Sequence, residues 1–214
     1  MQAILRNLAV AGLCGLFGIQ SSMAQAFEGV IEFTKTSGPV VTNYKYYVKG
    51  DHVRIEELSS RGEIQGVMLV DTRDRTVTAV SLDRKLYMDV PNTRLPKDVE
   101  AQVEKTREMR EMLGYKCEKW LVKSPSEDRQ MTYWVAADEF NFFIPLLETL
   151  NRKDEQAVFF LKIPEAGGVF PMLGIEQKSD GAEVSRLEVT KVTKGAQQAS
   201  LFEVPGDFNR FERN

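Results

Sequence analysis

Short strand-like segments separated by tight turns fill most of the chain after its first 26 residues. In the first of them, Phe27, Gly29, Ile31 and Phe33 alternate with Glu28, Glu32 and Thr34. This period of two is typical of a strand that buries one face. Five further segments with strand character follow closely: TNYKYYVK, HVRIEEL, EIQGVMLVD, RTVTAVSL and KLYMDV. Such a succession predicts an antiparallel meander.

Turn residues indicate where neighbouring strands pair. Gly50-Asp51 suits a two-residue hairpin turn with glycine at the position that requires a positive φ. Asp180-Gly181, between VFPMLGIEQK and EVSRLEVTKVTK, is a type I′ signal for a second hairpin. The segment 125–128 (PSED) is turn-like and joins the strand-like YKCEKWLVKS and RQMTYWVAAD.

Two stretches have a helical period. In 96–113 the residues Val99, Val103, Thr106 and Leu113 fall on one face and charged residues fill the others, and Gly114 is a natural stop. We therefore expect a charged helix here.

The second helical stretch is 138–162, with Asp138 as a candidate N-cap. Pro145 lies inside it and predicts either a kink or a late helix start, while QAVFFLKIP suits a helix or a strand. Apolar residues at helical spacing follow Asp138: Phe140, Phe143, Ile144, Leu147 and Leu150. The pattern predicts one α+β domain over 27–214, a long antiparallel sheet with helices on one face.

The N-terminal 26 residues have the features of a secretory signal peptide. Arg6 precedes the apolar run 8–19, and Ala24 and Ala26 occupy A-x-A positions, so cleavage after Ala26 is expected. A membrane anchor is the alternative, but the run is shorter than the roughly 20 residues that a span needs. A lipoprotein signal at Cys14 is disfavoured because Leu13 stands where a small residue is needed. No later stretch resembles a membrane span.

Residues that usually carry chemistry are scarce after this segment. His52 is the only histidine and falls on the polar side of its strand, which favours a surface position. Cys117 is the only remaining cysteine, and its strand context favours a buried thiol over a reactive one. Neither a zinc ligand set nor a nucleotide-binding glycine motif is present. The net charge of −3 argues against nucleic acid. We predict no catalytic site, no metal site and no cofactor.

The C-terminal stretch has a strand, a D-G turn, a second strand and a closing apolar element that share a recognisable set of residues: Leu187, Val189, Val192, Phe202, Pro205 and Phe208. With these residues it resembles the closing strands of the periplasmic lipoprotein carrier and receptor superfamily (LolA/LolB-like). The start F-x-G-x-I-x-F at Phe27 fits the same superfamily more loosely, and the pair GYKCEKWLV and TYWVA is typical of an exported bacterial family of unassigned function. The resemblance implies an incomplete, strongly curved antiparallel barrel, helices over its concave face, and a periplasmic location.

The resemblance also implies a hollow between sheet and helices that holds a lipid, an acyl chain or another hydrophobic ligand. The expected function is therefore hydrophobic ligand binding. The alternative is an envelope protein-interaction or sensing module with no lipid, using the charged segment 97–113 as its contact. Apolar residues in 140–161 exceed what one helix face needs, which suits either core packing or a cavity wall. The predicted ligand-binding residues are Trp120, Trp134, Phe140, Phe143, Leu147 and Phe160.

Overall fold

The computed structural model describes residues 26–93, 95–151 and 154–212. The predicted signal peptide lies outside these residues, apart from Ala26. Within these residues twelve strands form one sheet, and two short α-helices follow the ninth strand. The elements in chain order are β1 (Glu28–Ser37), β2 (Val40–Lys49), β3 (His52–Leu58), β4 (Ile64–Asp71), β5 (Thr76–Ser81), β6 (Leu86–Asp89), β7 (Gln102–Met112), β8 (Tyr115–Ser124), β9 (Arg129–Ala137), α1 (Phe143–Leu150), α2 (Glu155–Phe160), β10 (Val169–Gln177), β11 (Glu183–Lys194) and β12 (Asn209–Arg210).

The sheet consists of two local meanders joined at β1. The strand order is β12-β6-β5-β4-β3-β2-β1-β11-β10-β9-β8-β7, so β1 lies between β2 and β11. Every pair is antiparallel except β12 with β6, which is parallel. Among the described residues β7 and β12 pair on one side only, so the sheet is open. The predicted α+β class, an incomplete antiparallel barrel with helices, is confirmed.

The position of α1 shows that the sheet is curved. This helix contacts β4 and β5, and its Phe143 ring centroid lies 4.5 Å from that of Phe170 in β10. Five strand spacings separate β4 from β10, about 24 Å in a flat sheet, whereas eight helical residues span only about 12 Å. The sheet therefore bends around the helix, and the helices cover its concave face.

The helix expected over 96–113 is wrong. Residues 95–101 have no regular structure, and β7 pairs with β8 across a bulge between Lys105 and Met109. Leu113 and Gly114, both with positive φ, make the turn between the two strands. Lysine, glutamate, arginine and methionine favour helix locally, but the hydrogen bonds offered by β8 outweigh that preference. The charged side chains of this segment point to solvent from one side of β7, which is an edge strand.

The second helical stretch is confirmed as two short helices. Pro145 falls in the first turn of α1, where its missing N–H costs nothing, and the helix starts late, at Phe143. Asp138 does not cap it and instead forms an ion pair with Lys194 at 2.5 Å. The cap of α2 is Asp154, whose side chain accepts a hydrogen bond from the N–H of Gln156. Residues 155–160 are helical, which settles the earlier choice between helix and strand.

Both predicted hairpins form, with one difference in the turns. Gly50 has a φ of +57°, as its position in the β2–β3 turn requires. The β10–β11 connection is longer than a two-residue type I′ turn, because β10 ends at Gln177 and β11 begins at Glu183. Gly181 still supplies the positive φ, and the N–H of Lys178 donates to the carbonyl of Ala182.

Apolar side chains gather in two clusters. The larger one lies between the concave face and the helices and includes the fully buried Cys117, as predicted. The smaller one joins Val67, Leu69 and Val80 to Tyr87, Val204 and Phe208, so that the C-terminal segment covers the other face of β4–β6. His52 lies at the surface, as predicted, 3.4 Å from Asp71. No helix among residues 26–93, 95–151 and 154–212 is long and apolar enough to span a membrane.

Candidate ligand-binding site

A cavity of about 80 Å³ lies between the concave face and the two helices. The strands and both helices contribute aromatic or aliphatic side chains to its wall. The sheet supplies Phe33 from β1, Tyr44 and Tyr46 from β2, Tyr133 from β9, Phe170 and Pro171 from β10 and Leu187 from β11, and the helices supply Phe143, Leu147, Leu150, Ala157 and Phe160. Lys35, Asp154 and Gln156 are its polar members.

Helix α1 carries apolar residues on two sides. Phe143 and Leu147 line the cavity, whereas Leu146 is fully buried away from the cavity wall. A helix of this kind packs on the protein with one side and presents the other to the hollow. The excess of apolar residues in 140–161 is thus divided between core and cavity.

A buried polar network, which we call the α2 latch, connects α2 to the sheet through Gln156, Ser185, Glu176 and Arg129. Gln156 Nε2 donates to Ser185 Oγ at 2.8 Å, and Ser185 Oγ donates to Glu176 Oε2 at 2.7 Å. Arg129 Nε donates to the other Glu176 oxygen at 3.0 Å, which completes the partners of this buried carboxylate. Since buried polar groups are costly without partners, the latch holds α2 in one position.

Tyr133 adds a further contact to the same helix. Its hydroxyl donates to the carbonyl of Gln156 at 2.7 Å. Burial raises the pKa of Tyr133 well above its usual value, and the nearby carboxylates of Asp154, Glu176 and Glu155 act in the same direction. The phenol therefore stays neutral and remains a hydrogen-bond donor.

Ion pairs hold the N-terminus of α2 from both sides. Lys35 of β1 pairs with the capping Asp154 at the cavity rim. Lys97 pairs with Glu155 at 2.8 Å and with Glu127 at 2.9 Å, and hydrogen bonds to these carboxylates raise the pKa of Lys97. The first turn of α2 is thereby connected to β1, to the segment after β6 and to the turn after β8.

Three of the six predicted ligand-binding residues meet at the cavity. Phe143 and Leu147 of α1 and Phe160 of α2 all belong to its wall. The rings of Phe143 and Phe160 are 5.1 Å apart, and Tyr133 meets Phe160 edge to face at 5.2 Å. A binding role for them stays a prediction.

The other three lie elsewhere. Phe140 is fully buried against Phe27, with ring centroids 4.9 Å apart. Trp134 alternates with Tyr133 along β9, so it lies on the opposite face, where Arg110 stacks over its ring at 5.7 Å. Trp120 shares the face of Tyr133 but lies outside the wall, and its Nε1 donates to Glu118.

The sheet side of the wall is the part that sequence reasoning missed. Phe33, Tyr44 and Tyr46 pack together, with Phe33 stacked on Tyr44 at 5.2 Å and edge to face with Tyr46 at 4.8 Å. The signal was present, because Tyr44 and Tyr46 alternate along β2 as residues of one face do. The pairing of β1 with β2 that brings them to Phe33 could not be read from either strand alone.

The volume of the cavity limits the size of a molecule that it can hold without rearrangement of α1 and α2. Ligand pockets typically measure about 300–1,000 Å³, so about 80 Å³ corresponds to a hollow that the protein's own side chains largely fill. An acyl chain needs more room here than this arrangement of α1 and α2 provides. The described residues contain no group of three or more His, Cys, Asp or Glu side chains arranged to hold a metal ion.

Residues 27–208 match a protein family described as "Domain of unknown function (DUF4412)". The chain belongs to this family. No curated protein gives a significant match to the sequence of this protein.

Among solved structures, an uncharacterised conserved protein from Thermus thermophilus is similar to this DUF4412 domain with a TM-score of 0.51 and 12% identity, covering 87% of this chain and 91% of the other. That likeness shows a shared fold. The MucA/MucB complex of Pseudomonas aeruginosa gives a TM-score of 0.47 and 10% identity, over 86% of this chain and 56% of the other. A putative outer membrane lipoprotein-sorting protein domain from Vibrio parahaemolyticus gives 0.32 and 9% identity, over 81% and 87%. The predicted relation to the LolA/LolB-like superfamily stays a prediction.

Proposed function

We propose that this DUF4412 domain binds a hydrophobic ligand, such as the acyl chain of a lipid, on the concave face of its sheet, and that it does so in the periplasm after cleavage behind Ala26. The observation that carries the proposal is the wall shared by α1, α2 and the sheet, in which Phe143, Leu147 and Phe160 face aromatic residues across a hollow. No catalytic step and no metal belong to the proposal.

Ligand uptake at this place requires α1 and α2 to move away from the sheet. Each methylene transferred from water contributes about 0.8 kcal/mol, so ten of them supply about 8 kcal/mol, equivalent to micromolar affinity if nothing opposed binding. The polar contacts of α2 have to rearrange in the process, which lowers the net affinity.

Uptake of an apolar fluorescent dye by delipidated protein tests the proposal. We expect N-phenylnaphthylamine to gain fluorescence with the unaltered protein, and the gain to fall strongly in Leu147→Trp, which fills the hollow from a half-buried position. Ile144→Trp is the matched control, because Ile144 lies on the same helix but outside the wall. Phe143→Asp places a charge in the wall and should abolish uptake.

Equal uptake by a folded Leu147→Trp protein and its control would contradict this wall. Folding is checked by circular dichroism and by the urea midpoint. A protein that takes up neither dye nor fatty acid would contradict the proposed function as a whole.

The alternative function, a protein-interaction module, has one observation in its favour. Among the described residues β7 is a long edge strand with partners on one side only, and such edges can accept a strand from another chain. However, the mixed charges of Glu104, Lys105, Arg107 and Glu108 and the bulge after Lys105 are features that discourage edge pairing. The ligand-binding proposal is therefore the better supported one.

A further inference from the structure

A second and larger hollow lies on the same face of the sheet, beyond the helices. It is a groove of about 430 Å³ over β3–β6, and neither α1 nor α2 contributes to its lining. Its floor is a register row across four strands, in which Ile55 pairs with Met68, Met68 with Ala79, and Ala79 with Met88. We call this hollow the β3–β6 groove.

The groove continues the wall of the helix-covered cavity. Tyr46, which lines that cavity, pairs with Ile55 at the near end of the row. Phe211, which is 52% exposed, closes the far end beyond β6, where its N–H donates to the carbonyl of Tyr87. The groove extends over four strand spacings from β3 to the strand position of Phe211, a length of about 19 Å. This length suits an extended chain better than a compact ring.

Size and lining distinguish this groove from the cavity under the helices. Its volume lies within the range of about 300–1,000 Å³ that is typical of small-molecule sites. Gly66 contributes to this openness, because a Cβ added there would meet no atom within 4 Å. Ile55 is buried and Met68, Ala79 and Met88 are half-buried, so the floor is concave and mostly apolar, as the walls of ligand sites usually are.

Charge at the margins favours an orientation for the bound molecule. Arg84, in the turn between β5 and β6, is exposed, and its Nε lies 3.9 Å from the Asp83 carboxylate. Glu57, on β3, lies at the same turn-bearing end of the groove, two strands away from β5. An anionic head group is attracted to Arg84 and repelled from Glu57, so it is expected at the β5–β6 side of this end, with the apolar part on the floor of the groove.

We infer that the β3–β6 groove binds a single acyl chain with an anionic head group, held at the Arg84 margin. The inference rests on the proposed function in so far as a hydrophobic ligand binds on the concave face; it adds a second place of binding, beside the helix-covered cavity, and names the ligand class for it. A free long-chain fatty acid and an anionic lysophospholipid both have one acyl chain and an anionic head group.

The test uses the fluorescent fatty acid cis-parinaric acid with delipidated protein. Gly66→Leu places a side chain in the groove on ordinary backbone and should weaken binding at least about tenfold, the loss expected when about two methylenes stay in water. Gly167→Leu is the matched control, because Gly167 also has open space and lies outside both hollows.

The head-group assignment has its own pair of variants. Arg84→Gln should weaken binding of the acid by about two- to fivefold, as expected for an exposed ion pair, and leave its methyl ester unaffected. Arg61→Gln removes the same charge from the β3–β4 turn and should change neither. Displacement of cis-parinaric acid by oleate or by lysophosphatidylglycerol then shows whether the groove prefers a fatty acid or a lysophospholipid.

The outcomes distinguish failure of the groove from failure of the proposed function. Loss of cis-parinaric acid binding in Gly66→Leu but not in Leu147→Trp supports the groove, whereas uptake of N-phenylnaphthylamine is tested separately by Leu147→Trp and reports on the helix-covered cavity. Loss in Leu147→Trp alone would overturn the groove and keep the proposed function, and no binding by the unaltered protein would overturn both. Equal affinity for acid and ester, unchanged in Arg84→Gln, would refute the anionic head group.

Discussion

Gly174 of β10 lies against Gln156, the member of the α2 latch that belongs to α2. A Cβ added at this position would lie 2.5 Å from Gln156 Oε1 and 3.4 Å from a ring carbon of Tyr133. The first distance is shorter than such atoms tolerate, so in Gly174→Ala the Gln156 amide has to move. Because Nε2 of the same amide donates to Ser185, we expect this movement to break that bond inside the protein.

The magnitude follows from that lost bond. A buried polar group left without its partner costs about 1–3 kcal/mol, and we expect Gly174→Ala to lower the free energy of unfolding by about 2 kcal/mol. Gln156→Ala removes the amide and makes room for the added methyl group. The double variant should therefore be more stable than the sum of the single effects predicts, with a coupling of at least about 1 kcal/mol.

Urea unfolding of the four proteins measures this coupling, and hydrogen exchange of the α2 amides shows whether the helix opens locally. Gly206→Ala is the control, because its added Cβ would meet no atom within 4 Å. Strictly additive effects would refute the reasoning, since they would mean that the methyl group and the Gln156 amide do not compete for space.

Two further predictions concern buried groups. Because burial raises the pKa of Tyr133, the unfolded chain releases this proton at lower pH than the folded chain, and stability should fall as the pH rises above about 10; a urea midpoint that is unchanged between pH 9 and 11 would contradict this. Burial also raises the pKa of the Cys117 thiol, so an aromatic disulfide reagent should label it at neutral pH only after urea is added, and rapid labelling of the folded protein would show that the site is open.

Strand pairing was predictable wherever turn chemistry and alternation agreed. The hairpins β2–β3 and β10–β11 each have glycine at a positive φ between segments of period two, and both formed. The helix prediction for 96–113 was wrong because glutamate, lysine and arginine fit a helix and an exposed edge strand equally well. The edge position of β7 depends on β8 and is not contained in the segment itself.

The candidate site was only half predictable for a related reason. Phe143, Leu147 and Phe160 share helix faces that turn toward the sheet, so helical spacing could find them. Trp134 and Tyr133 are neighbours in sequence, yet β9 sends one to each side, and only the tertiary structure shows which side is concave. The groove residues Ile55, Met68 and Ala79 belong to three strands and become a row only through register.

The central position of β1 has a consequence for the order in which the fold can form. β2–β6 follow one another closely in the chain, and so do β7–β9 and β10–β11, so these groups can pair early with little loss of loop entropy, whereas β10 joins β9 only across the helical segment. The contact that unites them brings Gly29 opposite Lys194, near the two ends of the chain. β1 therefore keeps one edge unpaired until β11 pairs with it, and completion of the sheet is a late step of folding that needs nearly the whole chain.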